Sequence, residues 1–205
     1  GVRVSKTLTK RLNKIEERVT SPSFLSSEGI GNEIACYIFD YPAENELQVR
    51  KHLDYLMKSF AQNHSHLNVL HLNLFDVILD YLKERKLYEK TIAAQEKKGD
   101  AGLLHMLKGV VKSEKICQFI ASTSKPSERD LLLISGVGSA WPMMRAHNLL
   151  NGLHSVMDNR PLVLFYPGSF DGTTLRLFGQ IETAAAKPGT KPYYRAFRLI
   201  PGRDD

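Results

Sequence analysis

Short runs of hydrophobic residues alternate along the chain with stretches of helical periodicity. The runs predict five strands, at residues 34–39, 68–72, 131–135, 162–166 and 194–200. Uninterrupted apolar strands are typical of parallel sheets that are covered on both faces. Helical stretches between such strands are typical of right-handed crossovers. The pattern therefore predicts an α/β fold, a three-layer sandwich around a mostly parallel five-stranded sheet.

The helical stretches have apolar residues three or four positions apart. They predict an N-terminal helix at 4–19 and further helices at about 42–62, 76–92, 116–122 and 142–157. Residues 96–114 are charged and punctuated by glycine, which predicts helix outside the core sheet. Residues 173–181 fit a strand and a helix equally, and both interpretations stay open. Together the pattern predicts a single domain over residues 1–205, with a helical insertion at about 76–122.

Three aromatic-proline pairs follow predicted strands: Tyr41-Pro42, Trp141-Pro142 and Tyr166-Pro167. Proline pushes the preceding residue out of the helical region and suits the first position of a helix, so each pair predicts a strand end and often a helix start. The carboxyl ends of parallel strands meet at one edge of a sheet, where doubly wound folds bind ligands. We therefore expect any ligand groove at this edge.

The turn at residues 135–141 resembles a nucleotide-binding loop but lacks its chemistry. No Gly-Lys-Ser or Gly-Lys-Thr triplet occurs in the chain, so a Walker A loop is excluded, and the register of a Rossmann fingerprint fails at Trp141. A tight turn is the favoured interpretation. The expected topology is P-loop-NTPase-like or Rossmann-like without a Walker A motif. Residues of the candidate groove are Asp40, Tyr41, Gly136, Gly138, Ser139, Trp141, Arg145, Tyr166 and Asp171.

Carboxylates offer a second kind of chemistry at this edge. Asp40, Asp76 and Asp171 each follow a predicted strand or turn, and three acids could hold magnesium or exchange protons. Aspartate is also common at helix starts and turns, where it caps backbone N–H groups. Capping is the favoured interpretation of all three.

Histidines offer a third kind of candidate chemistry. His64, His66 and His71 lie close in sequence, but their spacing matches no zinc finger, so no metal site is predicted. His147 and His154 share one helical face near Arg145 and could line a polar groove. A solvated helix face is favoured for this pair. Sequence motifs of hydrolases are absent, and the chain offers no catalytic residues and no cofactor.

Charge and cysteine content narrow the class of protein. The net charge of +6 is concentrated in residues 1–20 and 83–115, which carry +4 each, while the remainder sums to −2. Basic helices permit direct DNA binding, but a solvated helix face is favoured over that role. Cys36 and Cys117 fall in apolar segments, as expected of reduced core residues. No apolar run is long enough to span a membrane, and the cytoplasm is the expected location.

Five segments in order resemble one protein family. They are NEIACYIFDYPAENELQVR, HLNLFDVILDYLKERKLYEK, LLLISGVGSAWPMMRAHNLLNGLH, PLVLFYPGSFDGTTLRLFG and YYRAFRLIP, covering most of residues 30–201. These segments resemble the BrxB proteins of BREX bacteriophage-exclusion systems.

The resemblance implies a small cytoplasmic component of a multiprotein system that modifies host DNA and blocks phage replication. Other components of such systems include a DNA methyltransferase, a large ATPase and PglZ, a protein of the alkaline-phosphatase superfamily. The resemblance implies a non-enzymatic scaffold or adaptor that binds PglZ, and it transfers no catalytic residues. A degenerate nucleotide- or phosphate-binding module at the carboxyl edge of the sheet is the alternative.

Overall fold

The computed structural model describes residues 4–26, 34–141, 143–157, 160–177, 180–181 and 194–200. A five-stranded sheet, parallel at every pairing, lies at its centre in the order β2-β3-β4-β1-β8. The prediction of a parallel five-stranded sheet is thus confirmed. Its strands are β1 (Ile34–Asp40), β2 (Val69–Asn73), β3 (Leu131–Ser135), β4 (Leu162–Tyr166) and β8 (Tyr194–Arg198).

Nine helices occur in the described ranges. Three precede β1, one connects β1 to β2, three connect β2 to β3, and two connect β3 to β4. In chain order they are α1 (Lys6–Leu12), α2 (Ile15–Thr20), α3 (Pro22–Leu25), α4 (Glu46–Asn63), α5 (Leu74–Glu84), α6 (Tyr88–Val110), α7 (Ser113–Ser124), α8 (Val137–Ala140) and α9 (Ala146–Leu153).

The helices form one layer on each face of the sheet. The connection from β1 to β2 runs across the sheet in the opposite direction to the connections from β2 to β3 and from β3 to β4. Right-handed crossovers therefore place α4 on one face and α5–α9 on the other. α1–α4, the first helical layer, pack on the face that carries Phe39 and Leu133, whereas α5–α9, the second helical layer, pack on the face that carries Cys36 and Ile38. Alternate residues of each strand therefore enter different cores.

A small antiparallel sheet follows β4. It is formed by β5 (Ser169–Phe170), β6 (Leu175–Leu177) and β7 (Gln180–Ile181) in that order. The structure thus assigns 175–177 and 180–181 to strands, which resolves the segment whose sequence fitted a strand and a helix. Leu175 and Leu177 are buried and Arg176 is exposed, the alternation of a strand with one buried face.

Several predicted helices are wrong in extent. The N-terminal helix divides into α1 and α2 at Asn13, a weak helix former. Four members of its apolar stripe are buried as predicted, but Val4 is exposed. The helix predicted at 76–92 ends where Lys86 adopts a φ of 58°, and α6 begins at Tyr88. The last predicted helix begins at Ala146, not at residue 142, and Pro142 itself lies outside the described residues.

The three helices α5–α7 within the predicted insertion at about 76–122 differ in their contribution to the core. Ile78 of α5 and Ile116 of α7 are completely buried in the core of the second helical layer. Only α6 is peripheral, since Thr91 and Leu107 are its buried residues, and Gly99, with a φ of 70°, kinks it. This peripheral helix overlaps residues 96–114, which the sequence placed outside the core sheet.

Both cysteines are free and buried, as predicted. Burial raises the pKa of the Cys36 thiol above its ordinary range and that of Cys117 to about 12, so both remain protonated. None of the helices that the structure describes is long and apolar enough to cross a membrane.

Candidate functional site

The carboxyl edge of the sheet is where the sequence placed a groove. The sheet order puts β1 between β4 and β8, and the connections that leave β1 and β4 run in opposite directions. Such a switch of direction opens a crevice beside β1 in doubly wound folds. Asp40 and Tyr166 are register partners at this position. The candidate residues from β1 and β4 therefore do come together.

Asp40 is the centre of a buried ionic network at this crevice. Its side chain is 1% exposed, and Oδ1 lies 3.2 Å from Arg11 Nη2 and 3.4 Å from Arg198 Nη1. The backbone N–H of Phe170 donates to Oδ2 over 3.0 Å. A buried carboxylate needs such partners because desolvation of an isolated charge is costly. Asp40 joins α1, β5 and β8 to β1, so the predicted helix-capping role is wrong for this residue.

Tyr41 and Tyr166 are fully buried and lie on opposite sides of the sheet. Tyr41 packs in the first helical layer, where its hydroxyl donates to Glu46 Oε2, and Tyr166 packs in the second. Burial and the Glu46 carboxylate raise the pKa of Tyr41 above its ordinary range. The backbone N–H of Tyr41 donates to the carbonyl of Tyr166 over 2.9 Å. The two rings therefore lie in different cores and do not line a shared groove.

Gly136 and Gly138 meet a packing requirement in the turn after β3. Gly136 has a φ of 73°, and a Cβ built on it would lie 2.1 Å from Asn73 Oδ1. A Cβ on Gly138 would lie 2.8 Å from Pro167 Cγ. Both glycines permit neighbouring strand ends to approach closely. This geometry supports the favoured interpretation of a tight turn.

The remaining candidates are dispersed. Trp141 follows α8 and packs against the core of the second helical layer, six residues after the end of β3, so it does not mark a strand end as predicted. Arg145 immediately precedes α9. Asp171 is exposed, and its Oδ1 accepts hydrogen bonds from the backbone N–H groups of Thr173 and Thr174 at 2.9 and 2.7 Å. These bonds lower the pKa of Asp171 and confirm its local role in a turn.

His147 is buried, which contradicts the prediction of a solvated helix face. Its Nδ1 lies 2.8 Å from the Tyr194 hydroxyl and its Nε2 lies 3.1 Å from Asn151 Nδ2. Burial lowers the pKa of His147, and the nearby Arg145 guanidinium acts in the same direction. The neutral imidazole thus connects α9 to β8 as a structural hydrogen-bonding group.

A large opening lies along the free edge of β2 and has a volume of about 820 Å³. Among the nine candidate residues, only Ser139 lines it. We call this opening the β2 groove. It lies between the first half of α4 and helices α5 and α7, and its lining residues are Arg50, Leu53, Asp54, His71, Leu72, Asn73, Phe75, Asp76, Val77, Asp80, Phe119, Thr123, Ser124, Ser135 and Ser139.

Polar side chains dominate the chemistry of the β2 groove. His71 Nε2 lies 2.7 Å from Ser135 Oγ, and burial lowers the pKa of His71 although Asp54 and Asp76 act in the opposite direction. His71 is therefore neutral at pH 7. In the described part of the chain no three His, Cys, Asp or Glu residues are grouped to hold a metal ion, and His71 does not join His64 in a zinc site.

The sequence did not predict this groove as a unit. Asp76 and His71 were separate candidates in the sequence, without Asp54, Asp80 or Ser135 as partners. One signal was available, since His71 and Ser135 lie near the ends of two predicted strands and Asp76 and Asp80 are four residues apart on one helix. The position of β2 at the edge of the sheet was not available from the pattern.

Comparison with known proteins identifies the family. The family model described as "BREX protein BrxB" matches residues 70–199. A BREX protein BrxB of Escherichia coli O9:H4 (strain HS) is 40% identical over 194 residues, which cover 95% of this chain and 92% of the relative. The chain belongs to the BrxB family of BREX proteins. This confirms the resemblance carried by the five sequence segments.

A second BrxB protein, of Bacillus cereus (strain H3081.97), is 36% identical over 197 residues, which cover 94% of this chain and 97% of the relative. Both relatives therefore share nearly the whole length, and the likeness includes β1 and much of the first helical layer as well as the region matched by the family model. No solved structure matches the chain.

Proposed function

We propose that this BrxB-family chain is a cytoplasmic, non-enzymatic component of a BREX phage-defence system. It acts as a scaffold or adaptor that binds a PglZ-like protein of the alkaline-phosphatase superfamily and contacts other BREX components. Family membership supports the BREX assignment. The PglZ partner is our inference from the sequence resemblance.

The residues at the crevice have structural roles, and this observation supports a scaffold. Doubly wound enzymes place reactive groups in the crevice beside the switch of strand direction. Here Asp40 is neutralised by Arg11 and Arg198, and Tyr41 and Tyr166 are buried in opposite cores. The charged and aromatic groups at this position hold the elements together, which leaves the outer surfaces for contacts with partners.

Co-purification tests this function. The tagged chain and the PglZ-like protein of the same system are mixed at micromolar concentration after nuclease treatment, which prevents bridging by DNA. We expect a stable complex on size-exclusion chromatography, and tag alone on the resin is the control. Separate elution of the two proteins would contradict the proposal.

The alternative of a degenerate nucleotide- or phosphate-binding module has weaker support. The β2 groove opens at the carboxyl end of β2 and β3, but the described residues that line it include three aspartates, Asp54, Asp76 and Asp80, and a single arginine, Arg50. Carboxylates repel phosphate groups. Calorimetry with ATP, GTP and cyclic nucleotides, with and without magnesium, tests this alternative, and heat above background would favour it.

We also propose that residues 1–205 form one domain of P-loop-NTPase-like or Rossmann-like topology. The parallel sheet with helices on both faces and a switch of direction beside β1 supports this topology. The order β2-β3-β4-β1-β8 differs from the common Rossmann order 3-2-1-4-5-6. A single domain should yield no stable proteolytic fragment smaller than the core sheet. Limited proteolysis tests this expectation.

A further inference from the structure

Strand β2 has an uncovered edge. It pairs with β3 on one side, and no strand in the described ranges pairs with its other side. Four of its five residues are partly exposed, and only Leu72 is buried. Alternate backbone N–H and C=O groups of such a strand point away from the sheet. β2 therefore offers hydrogen-bonding groups to a further strand.

The sequence of β2 lacks the usual protection of an edge. Proteins commonly guard an exposed edge with proline, lysine or a bulge. β2 reads VLHLN, with no charged residue and no proline, and its register with β3 is continuous from Val69 to Asn73. An unguarded edge is the feature that β-strand addition uses for recognition.

The β2 groove provides space beside this edge. It contains His71, Leu72 and Asn73 of the strand and is bordered by α4 on one side and by α5 and α7 on the other. A strand of five residues is about 17 Å long at roughly 3.3 Å per residue. The volume of about 820 Å³ is not filled by any part of the described chain.

The charge of the groove identifies the occupant. Asp54, Asp76 and Asp80 line it, and Arg50, the only cation among its described lining residues, is ion-paired with Glu46 at 3.4 Å. The groove is lined by acidic side chains although the whole chain has a net charge of +6. Local charge of the opposite sign favours a basic partner and sets its register.

We propose that the β2 groove binds an extended, basic segment of a partner protein, which adds to the sheet as a sixth strand beside β2. The inference rests on the proposed adaptor function, because it assigns one partner-binding surface to it. The backbone of the segment pairs with β2, and its lysine or arginine side chains meet the three aspartates. A helix in this groove would leave the edge groups of β2 unpaired.

A synthetic peptide tests the proposal directly. The probe alternates lysine and valine over about seven residues, a common strand length. One control peptide has glutamate in place of lysine, and a second carries a methyl group on every backbone nitrogen and cannot donate hydrogen bonds. Fluorescence anisotropy measures binding, and hydrogen exchange followed by NMR measures protection of the amides of residues 69–73.

We expect the lysine peptide to bind, to slow exchange at alternate amides of β2 and to outcompete both control peptides. The variant Asp54→Asn/Asp76→Asn/Asp80→Asn should bind about tenfold more weakly at low salt, since each exposed ion pair changes affinity by roughly two- to threefold. The matched control neutralises three exposed acids outside the groove, by exchanging Glu17, Glu44 and Glu114 for glutamine, and should bind as the wild type does.

Two results would overturn the proposal: no protection of residues 69–73 at saturating peptide, or equal affinity for the lysine and methylated peptides. Circular dichroism verifies that both triple variants are folded. Co-purification with the PglZ-like protein is measured separately. Loss of that complex with peptide binding intact would refute only the PglZ assignment, whereas an intact complex without strand protection would refute only the β2 site.

Discussion

Replacement of Asp40 by asparagine should destabilise the protein more than any surface substitution. The change keeps the shape of the side chain but removes the charge that Arg11 and Arg198 face at 3.2 and 3.4 Å. The Arg11 side chain is only 8% exposed, so little water can replace the lost carboxylate. Removal of one partner from a buried ion pair costs about 3–5 kcal/mol of unfolding free energy.

The two arginine variants should lose different amounts of unfolding free energy, because the two arginines are unequally buried. Arg198 is 28% exposed and can be partly rehydrated, so Arg198→Met should cost about 1 kcal/mol, near the value of a surface pair. Arg11→Met leaves Asp40 with Arg198 and the Phe170 N–H, and should cost more than Arg198→Met. The double variant Arg11→Met/Asp40→Asn should lose less than the sum of the single variants, because neither charge is then buried alone.

Urea unfolding followed by circular dichroism and by tryptophan fluorescence measures these differences, and agreement of the two signals supports a two-state treatment. The control is Asp54→Asn, an exposed carboxylate that should change stability by about 0.5 kcal/mol or less. A loss below about 1 kcal/mol for Asp40→Asn would refute a structural role for the network. Additive losses in the double variant would refute the coupling of Arg11 to Asp40.

Three further predictions concern other parts of the structure. Gly136→Ala should destabilise the fold by about 2 kcal/mol or more, because the left-handed backbone alone costs about 1–2 kcal/mol. Gly109→Ala, at a helical position with free space around the glycine, should stabilise the fold by about 0.5–1 kcal/mol. Thermal unfolding measures both changes, and the reverse ranking would contradict the packing argument. Burial lowers the folded pKa of His71 and His147 below the unfolded value, so the unfolded chain binds more protons at acidic pH. Stability should therefore be fully present above about pH 6.5 and fall as pH drops from there, by up to about 1.4 kcal/mol per pH unit per histidine. Urea titrations across this pH range measure the slope of the unfolding free energy against pH. His147→Gln should reduce this slope, and an unchanged slope would count against a buried neutral imidazole at His147. Both cysteines should resist a thiol reagent in the native protein and react after denaturation, since their thiols are buried and protonated; rapid native labelling would disprove this.

Prediction from the sequence succeeded for features that depend on residues close together in the chain, and it failed for features that depend on distant residues. The strands at 131–135 and 162–166 were predicted with their observed bounds because an uninterrupted apolar run is a local signal. The helix predicted at 142–157 began four residues too early, because proline at the first helical position is only a preference. Predicted solvation of His147 failed because the Tyr194 hydroxyl that pairs with it lies 47 residues away.

The sequence alone determined the α/β class, the five strands of the central sheet, the buried cysteines and the lack of a Walker A loop, since these follow from periodicity and short motifs. Tertiary structure decided which strands are neighbours and which edge is free. Asp40 meets Arg11 from 29 residues away and Arg198 from 158, and no local pattern encodes such pairings. The β2 groove likewise exists because the second strand of the chain folds to the outside of the sheet, where α4, α5 and α7 border it.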